Sequence, residues 1–285
     1  MIEIMMTYKP SPRPSYSMPT HIEYNNMKIH KWGDEEAGYV DDWIYISNEK
    51  LHQIIFGLEP HGCFKHSKEF RTIFGADELL YILSGIFVIS NPETGETHKV
   101  LPGDSIFFRK DTWHHGFNFS DEYLQVLEFF SPPPSLGTSG VYAKTKPYIE
   151  SIDYSIESRL NNWLLNSNVT NKNKSFAIIK EKDHLWSSDE KNREIFTTTL
   201  ANTNNLFVKK ISISPNQTSQ EIDLETEKSL LVISGNIEIY VYFDNKEEKF
   251  ILSEKDGFYF PKKVRHKFIN PSNKKVSLIV CEAKN

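Results

Sequence analysis

Residues 103–118, which read GDSIFFRKDTWHHGFN, decide the fold class of this chain. A Gly-Asp turn leads into a short apolar strand, a polar turn follows, and then come His114 and Asn118, four residues apart. The same frame returns in residues 255–270, KDGFYFPKKVRHKFIN, where His266 and Asn270 take the corresponding places. A frame that recurs after about 150 residues in a chain of 285 residues indicates two copies of one domain.

A second pair of segments supports the repeat. LLYILSG ends at Gly85 and SLLVISG ends at Gly235, and each segment precedes the histidine frame of its own half. Because both pairs occur in the same order, the whole domain is duplicated, and not only one short motif.

The segments around these frames have the pattern of β-strands. Short apolar or alternating runs are separated by Asn, Asp, Gly and Pro, which are turn-forming residues. Regular short strands of this kind predict an antiparallel sandwich or barrel. In the first half the predicted strands are 43–47, 51–58, 79–90, 104–109 and 123–130.

Composition divides the chain into four predicted parts. They are a proline-rich arm at 1–20, a first domain at 21–134, a connector at 135–175 and a second domain at 176–285. A short helix is predicted in the connector from apolar residues near helical spacing, which are Ile156, Leu160, Trp163 and Leu164.

The histidine frame resembles the second conserved motif of the cupin superfamily, G-x5-P-x-G-x2-H-x3-N. The first copy keeps the glycine, His114 and Asn118, while Arg109 and Asp111 replace the proline and the second glycine. The resemblance implies an all-β protein of two tandem cupin barrels, each a double-stranded β-helix or jelly roll, with a short helical connector. Such a protein is a bicupin.

The first cupin motif, G-x5-H-x-H-x3–4-E-x6-G, is partly present. Glu78 stands seven residues before Gly85, as the motif requires, and His66 resembles the first histidine. Lys68 takes the second histidine place, where a protonated amine cannot bind a metal, and His61 is an alternative source of that nitrogen.

The residues of these two motifs predict one metal site in the first domain. His66, Glu78 and His114 form a set of two imidazoles and one carboxylate, which leaves open positions on Fe(II). Fe(II) is the favoured ion, and Mn, Ni, Cu or Zn are alternatives. His61 would complete a set of three imidazoles and one carboxylate.

The second domain lacks this ligand set. Lys228 stands where Glu78 stands in the first copy, and the residues between 185 and 265 contain no histidine. His266 alone cannot hold a metal tightly, so this domain is expected to be degenerate. Lys228 or Lys263 could instead bind an anionic ligand without a metal.

Five further residues are candidates for lining a substrate pocket. Two arginines could clamp a carboxylate or a phosphate, a tryptophan precedes His114 in its turn, and two polar residues lie on central strands. These candidates are Arg71, Arg109, Trp113, Tyr81 and Gln125. His115 is expected to pack in the fold or to lie on its surface, and His52 is expected to be a core or pocket residue.

This pattern favours a metal-dependent enzyme. The first hypothesis is a mononuclear non-haem iron oxygenase that acts on a small organic acid or a phenolic metabolite. The alternatives are a metal-dependent isomerase or epimerase of a small carbonyl or sugar-like substrate, and a non-catalytic ligand-binding cupin.

Composition limits the partners. The net charge of −5 and the lack of a basic stripe argue against binding of nucleic acid. The sequence contains no run of 18 apolar residues, the length that would predict a membrane span. With only two cysteines and no signal-peptide pattern, the expected location is the cytoplasm. We expect a homodimer, because cupin barrels tend to pair through sheet edges.

Overall fold

The structure, a computed structural model, describes residues 12–131, 141–150, 174–223 and 225–284. The regular secondary structure of the described residues is nearly all strand, which confirms the predicted fold class. The helix predicted near residue 160 lies outside the described residues. The strands of the first half are β1 Thr20–Ile22, β2 His30–Asp34, β3 Gly38–Ser47, β4 His52–Leu58, β5 Cys63–Phe64, β6 Asp77–Ser84, β7 Phe87–Ser90, β8 Thr97–Val100, β9 Ser105–Phe108, β10 His115–Asn118 and β11 Leu124–Ser131.

The second half repeats the series after a short helix, α1, at Val141–Lys144. Single 3-10 turns follow β1 and β12, at Tyr24–Asn26 and Glu181–Asp183. The strands of the second half are β12 Phe176–Ile179, β13 Ser187–Ser188, β14 Ile195–Asn202, β15 Leu206–Ile213, β16 Ile222–Asp223, β17 Lys228–Ser234, β18 Ile237–Phe243, β19 Lys246–Leu252, β20 Gly257–Phe260, β21 Arg265–Ile269 and β22 Val276–Ala283.

Each half is an antiparallel barrel made of one seven-stranded and one four-stranded sheet. Barrel 1 has the strand orders β12-β9-β6-β11-β4-β3-β2 and β5-β10-β7-β8. Barrel 2 has the orders β1-β20-β17-β22-β15-β14-β13 and β16-β21-β18-β19. Alternate residues of the facing sheets fill each interior, such as Leu80 and Ile89 in barrel 1 and Leu230 and Ile239 in barrel 2.

The residues that define the repeat have the same structural role in both barrels. Gly85 and Gly235 have φ of 79° and 81°, a left-handed conformation that favours glycine, and each lies in the turn between two consecutive strands. The side-chain nitrogens of Asn118 and Asn270 each lie within hydrogen-bond distance of three backbone carbonyls. These carbonyls belong to Leu58, Glu59 and Glu122 for the first asparagine and to Ile213, Ser214 and Lys274 for the second.

Two short strands cross between the barrels. β1 pairs with β20 of barrel 2, and β12 pairs with β9 of barrel 1. In each case an aspartate of the partner barrel holds the turn that follows the crossing strand. Asp256 Oδ1 accepts a hydrogen bond from the Tyr24 backbone N–H at 3.0 Å, and Asp104 Oδ1 accepts one from the Glu181 N–H at 2.9 Å. The strands at the predicted domain boundaries, near residues 21 and 176, therefore belong to the sheets of the other barrel.

The outer faces of the two large sheets share one apolar core. Leu127 and Phe129 of barrel 1 pack in the same buried cluster as Leu231 and Ile279 of barrel 2. Tyr45 is fully buried there and donates its hydroxyl to the Lys255 carbonyl at 2.7 Å. The barrels are therefore joined by a hydrophobic interface and not only by a connector.

The strands before residue 43 were not predicted. β1 and β2 are short and flank polar segments, so their sequences contain little alternation. His21 lies on β1 and His30 lies on β2. No helix among the described residues is long and apolar enough to span a membrane, and neither Cys63 nor Cys281 forms a disulfide.

Candidate functional site

Two of the predicted ligands meet inside barrel 1. Glu78 lies on β6, on the face that also carries the core residues Leu80 and Ile82, and His114 stands just before β10. Glu78 is 1% exposed and His114 is 3% exposed. Their closest atoms, Glu78 Oε2 and His114 Nε2, are 3.9 Å apart, which places two metal-ligand types face to face.

One contact decides the tautomer of His114. Its Nδ1 lies 3.2 Å from the Thr112 carbonyl, and because a carbonyl can only accept, Nδ1 carries the proton. Nε2 therefore presents a lone pair toward Glu78. Burial lowers the pKa of His114 to about 4, so the ring is neutral at neutral pH. A neutral imidazole whose other nitrogen is held by a carbonyl is the form that binds metals.

The carboxylate side of this pair is unsatisfied. Glu78 Oε2 is buried and has no hydrogen-bond partner within the described ranges. Burial, and then the neighbouring carboxyls of Glu128 and Asp77, raise the pKa of Glu78 well above its usual value. A buried carboxylate without partners is costly, so a proton or a cation has to neutralise this group.

Two more carboxyl groups lie on the inner face of barrel 1. Glu128 alternates with the core residues Val126 and Phe130 on β11, and Asp42 alternates in the same way on β3. Burial is the main cause that raises the pKa of both groups, and the Asp42 charge adds to the effect on Glu128. In the described part of the chain, neither forms an ion pair with lysine or arginine. Sequence analysis did not select these two residues, although the alternation on the predicted strand 123–130 was a usable signal for Glu128.

The imidazole places of the first cupin motif hold other residues. Counted back from Glu78 with the three-residue spacing, these places fall on Thr72 and Phe74. The Phe74 ring packs against His114 with centroids 5.8 Å apart, and the Thr72 carbonyl accepts the His114 backbone N–H at 3.1 Å. Thr72 Oγ1 is buried without a hydrogen-bond partner in the described segments. Phe64 and Phe108 add two more rings around His114.

His66 lies in a different cluster. Its Nε2 is 2.7 Å from the Ile149 carbonyl, so this nitrogen is a donor, and its Nδ1 accepts from His115 Nε2 at 2.6 Å. Both ring nitrogens are therefore used, and neither is left to bind a metal. Burial is the largest cause that lowers the pKa of both imidazoles. His115, expected to be a packing or surface residue, is 1% exposed and forms half of this pair.

His61 is also remote from Glu78. Its Nε2 contacts Asp121 Oδ1 at 2.9 Å, and the two side chains are 69% and 96% exposed. The structure thus brings Glu78 and His114 together but places His66 beside His115 and His61 beside Asp121. Over the described ranges, no three His, Cys, Asp or Glu side chains are grouped closely enough to hold a metal ion.

The predicted arginine and tryptophan candidates make structural contacts in and around barrel 1. Arg71 donates to the carbonyls of Ala143 and Lys146, and its guanidinium lies over the Tyr148 ring. Trp113 is 2% exposed and packs against Ala143 in a small apolar cluster. Arg109 forms an ion pair with Asp77 at 2.9 Å at the barrel edge. None of these contacts places a free cation inside the barrel.

The two polar candidates face the other barrel. The Lys210 ammonium donates to the Tyr81 hydroxyl at 2.9 Å, and the Lys255 ammonium donates to Gln125 Oε1 at 2.7 Å. Tyr81 lines a cleft of about 390 Å³ between the barrels. Their strands were correctly recognised as central, but the sequence did not show which face of each strand is turned to the inter-barrel core.

Comparison with known proteins agrees with this architecture. The Cupin domain family model matches residues 75–130 and 211–282, one segment in each barrel. No curated protein sequence is significantly similar to the chain. The family matches in both halves, together with the two-barrel fold, bear out the bicupin expected from the two motifs.

Solved structures resemble the chain over nearly its full length. The putative glyoxylate-induced protein of Pseudomonas aeruginosa has a TM-score of 0.66 at 11% identity, covering 96% of this chain and 92% of that chain. HEPD of Streptomyces albus, solved with 2-hydroxyethylphosphonate and Fe(II), has 0.65 at 10% identity, covering 93% and 75%. The oxalate decarboxylase of Lactobacillus farciminis, in a formate complex, has 0.60 at 12% identity, covering 94% and 86%. At these identities the likeness establishes the fold alone.

Proposed function

We propose that the chain is a metal-dependent cupin enzyme whose working site is the interior of barrel 1. The observation that carries this proposal is the orphaned Glu78 Oε2 that faces the lone pair of His114 Nε2 across 3.9 Å. A nitrogen and an oxygen at this separation can bind one ion between them, since metal–ligand bonds are about 2.0–2.2 Å long. Of the four ligands predicted from the sequence, these two fit a cation, and His66 and His61 do not.

The neighbouring carboxyls strengthen the proposal. Glu128 and Asp42 bring further negative charge to the same interior, and no lysine or arginine of the described ranges pairs with them. A divalent cation held by Glu78 and His114 would neutralise part of this charge. When bound, such a cation supplies Lewis-acid or O2-activating chemistry.

The residues around the pair suggest what the site binds. His114 holds its Nε2 lone pair in place through Nδ1, and the rings of Phe64, Phe74 and Phe108 exclude water from it. A small organic acid or phenolic compound would place its ring or methylene groups on these phenyl rings and its oxygens toward the cation. Oxygenation with Fe(II) is our first choice, and isomerisation or epimerisation of a small carbonyl compound is the alternative. The cytoplasmic location stays part of the proposal.

Metal binding is the first test. Calorimetric titration of the metal-stripped protein with Fe(II) under argon, and with Mn and Zn, should give roughly one equivalent, with Glu78→Gln weakening the affinity at least about tenfold. Glu122→Gln, an exposed glutamate on the same barrel, is the matched control. O2 uptake with a panel of small organic acids then separates an oxygenase, which stops without O2, from an isomerase, which does not.

A second candidate function is a ligand-binding cupin without turnover. The specific observation in its favour is that Thr72 and Phe74 occupy the two imidazole places of the first motif. In that case Glu78 would be neutralised by a proton, in line with its raised pKa. Absence of metal binding in the titration, together with retention of a small apolar acid by the metal-free protein, would establish this candidate and refute the first.

A further inference from the structure

Barrel 2 carries lysines on the strand faces that line its interior. Lys209 alternates with the core residues Ile211 and Ile213 on β15, and Lys228 alternates with Leu230 and Val232 on β17. In barrel 1 the corresponding positions are Ile54 and Glu78, since Lys209 and Ile54 each pair with the same position of the last strand, Val280 and Glu128. The interior of barrel 2 therefore carries two lysines at the positions where barrel 1 carries a neutral isoleucine and a glutamate.

Only one of the two lysines is neutralised. Lys228 Nζ lies 3.0 Å from Glu282 Oε2, whose other oxygen accepts from Thr226 at 2.6 Å. Lys209 has neither a hydrogen-bond partner nor an ion pair in the described part of the chain. Burial, and then the Lys228 charge, lower the pKa of Lys209. Lys209 is partly buried, and the charges of Glu282 and Asp189 act on it without forming an ion pair in the described ranges. A partly buried ammonium without a direct ion pair can bind an anionic ligand.

His266 adds a buried polar group at the same end. It is 3% exposed, its ring stacks near Phe260 at 4.3 Å, and its Nδ1 has no hydrogen-bond partner among the described residues. Burial and the charges of Lys228 and Lys209 lower the pKa of His266 to about 3. The ring is therefore neutral and has one N–H to donate to an acceptor.

The acidic groups nearby do not satisfy Lys209. Glu282 is shared between Lys228 and Thr226, and Asp189 Oδ1 accepts the backbone N–H groups of Lys191 and Asn192. The side chains of Lys228 and Glu282 are 14% and 23% exposed, so this end of the barrel reaches solvent. A ligand can therefore enter without unfolding of the barrel.

We propose that barrel 2 binds a small oxyanion, such as a carboxylate or a phosphate group, between Lys209, Lys228 and His266. Two ammonium groups supply charge-assisted hydrogen bonds, and the imidazole N–H adds a neutral donor. The phenyl rings of Phe260 and Phe268 beside His266 favour a ligand with a small apolar part. Barrel 2 is on this view a binding module and not only a packing partner of barrel 1.

The test uses the full chain and two probes, inorganic phosphate and succinate, at constant ionic strength. The imidazole signals of His266 and His114 are followed by NMR during each titration, and affinity is measured by calorimetry. We expect at least one probe to shift the His266 signal and not the His114 signal. Lys209→Gln should weaken that binding about tenfold, as expected for one charged hydrogen bond.

Two variants control for folding and for nonspecific charge. Lys209→Arg keeps the charge and should bind within a few-fold of the wild type. Lys267→Gln removes a lysine next to His266 in sequence but on the opposite face of β21, and it should change nothing. Equal affinity in Lys209→Gln and wild type, or no binding of either probe up to about 10 mM, would overturn the proposal. The preference between phosphate and succinate identifies the class of oxyanion.

Discussion

The His114 ring is oriented by the hydrogen bond between Nδ1 and the Thr112 carbonyl. This hydrogen bond leaves one lone pair, directed at Glu78, and among the described residues no further histidine joins the two in a group of three metal ligands. The metal proposal therefore depends on this residue more than on any other.

Replacement of His114 tests that dependence. His114→Ala should reduce bound metal from roughly one equivalent to near zero, because one nitrogen ligand is lost from a site with few ligands. Elemental analysis of protein purified with added Fe(II) measures the content. His61→Ala, in an exposed turn, is the matched control and should keep its metal. Full occupancy in His114→Ala would refute the assignment.

Buried neutral histidines also make stability depend on pH. His52 is 7% exposed, its Nδ1 contacts Ser47 Oγ at 2.9 Å, and burial lowers its pKa to about 3. The unfolded chain binds a proton near pH 6.5 while the folded chain does not, so the stabilising difference is lost as the pH falls from about 6.5 toward 3.

His52→Leu should remove this dependence. The difference in unfolding free energy between wild type and variant should fall by up to about 1.4 kcal/mol per pH unit below 6.5. Urea unfolding at several pH values between 7.5 and 4.5 measures it. A difference that stays constant with pH would mean that His52 is not held neutral by the fold.

At this scale the sequence predicted that Glu78 and His114 lie together but not that His66 lies apart from them. Glu78 and His114 could be selected because each lies at a fixed distance from an anchor, Gly85 or the Gly-Asp turn. His66 was misplaced because its two hydrogen bonds come from residues far away in sequence, His115 and Ile149. Contacts with such distant residues leave no pattern in the local sequence. The contacts of His66 with His115 and Ile149 could therefore be recognised only in the structure.

Among the elements, the crossing strands β1 and β12 have the least local support. Each has only three or four residues, and each is held by an edge strand of the other barrel and by one aspartate. Asp256 also contacts His21 Nε2 at 3.1 Å, so it fixes both β1 and the turn after it. This role explains the aspartate of the Gly-Asp and Lys-Asp turns without any catalytic function.

Loss of that aspartate should loosen the N-terminal strand. Asp256→Ala should cost about 1–3 kcal/mol of unfolding free energy, because the Tyr24 N–H is left without its acceptor. Hydrogen exchange of the β1 amides should become faster than in wild type, while exchange in β6 is unchanged. Asp244→Ala, in an exposed hairpin turn, serves as the control. Unchanged β1 protection would show that strand pairing alone holds the segment.

The strand predictions were good where alternation and turn residues were strong. The predicted run 79–90 covers most of β6 and all of β7, and the break falls at Gly85. The crossing of β1 and β12 was not predicted, because pairing partners 68 or more residues away are set by the packing of the two barrels. Local pattern therefore gave the elements of each barrel but not the exchange between them.

For the molecule as a whole, the shared core predicts one unfolding unit. The buried cluster that contains Tyr45, Leu127 and Ile279 belongs to both barrels, and each barrel completes a sheet with a strand of the other half. We expect a single calorimetric transition with equal calorimetric and van't Hoff enthalpies. Two separate transitions would show that the barrels unfold independently and that the shared core contributes little.

A homodimer stays a prediction at this scale. The four-stranded sheets end in edge strands, and Ile251 on the edge strand β19 is 60% exposed. Unpaired edges with apolar side chains favour association. Light scattering at micromolar concentration should give twice the chain mass of 33.1 kDa. A monomeric mass, unchanged in Ile251→Lys, would contradict the prediction.

The exchange of β1 also sets an order of events during synthesis on the ribosome. Thr20 pairs with Tyr259, so β1 has no partner until 239 further residues have been translated. At about 5–20 residues per second, a wait of about 240 residues lasts roughly 10 to 50 s. During this time β1 is open to chaperones. The pairing of β1 with β20 should therefore be a late event in the folding of the nascent protein.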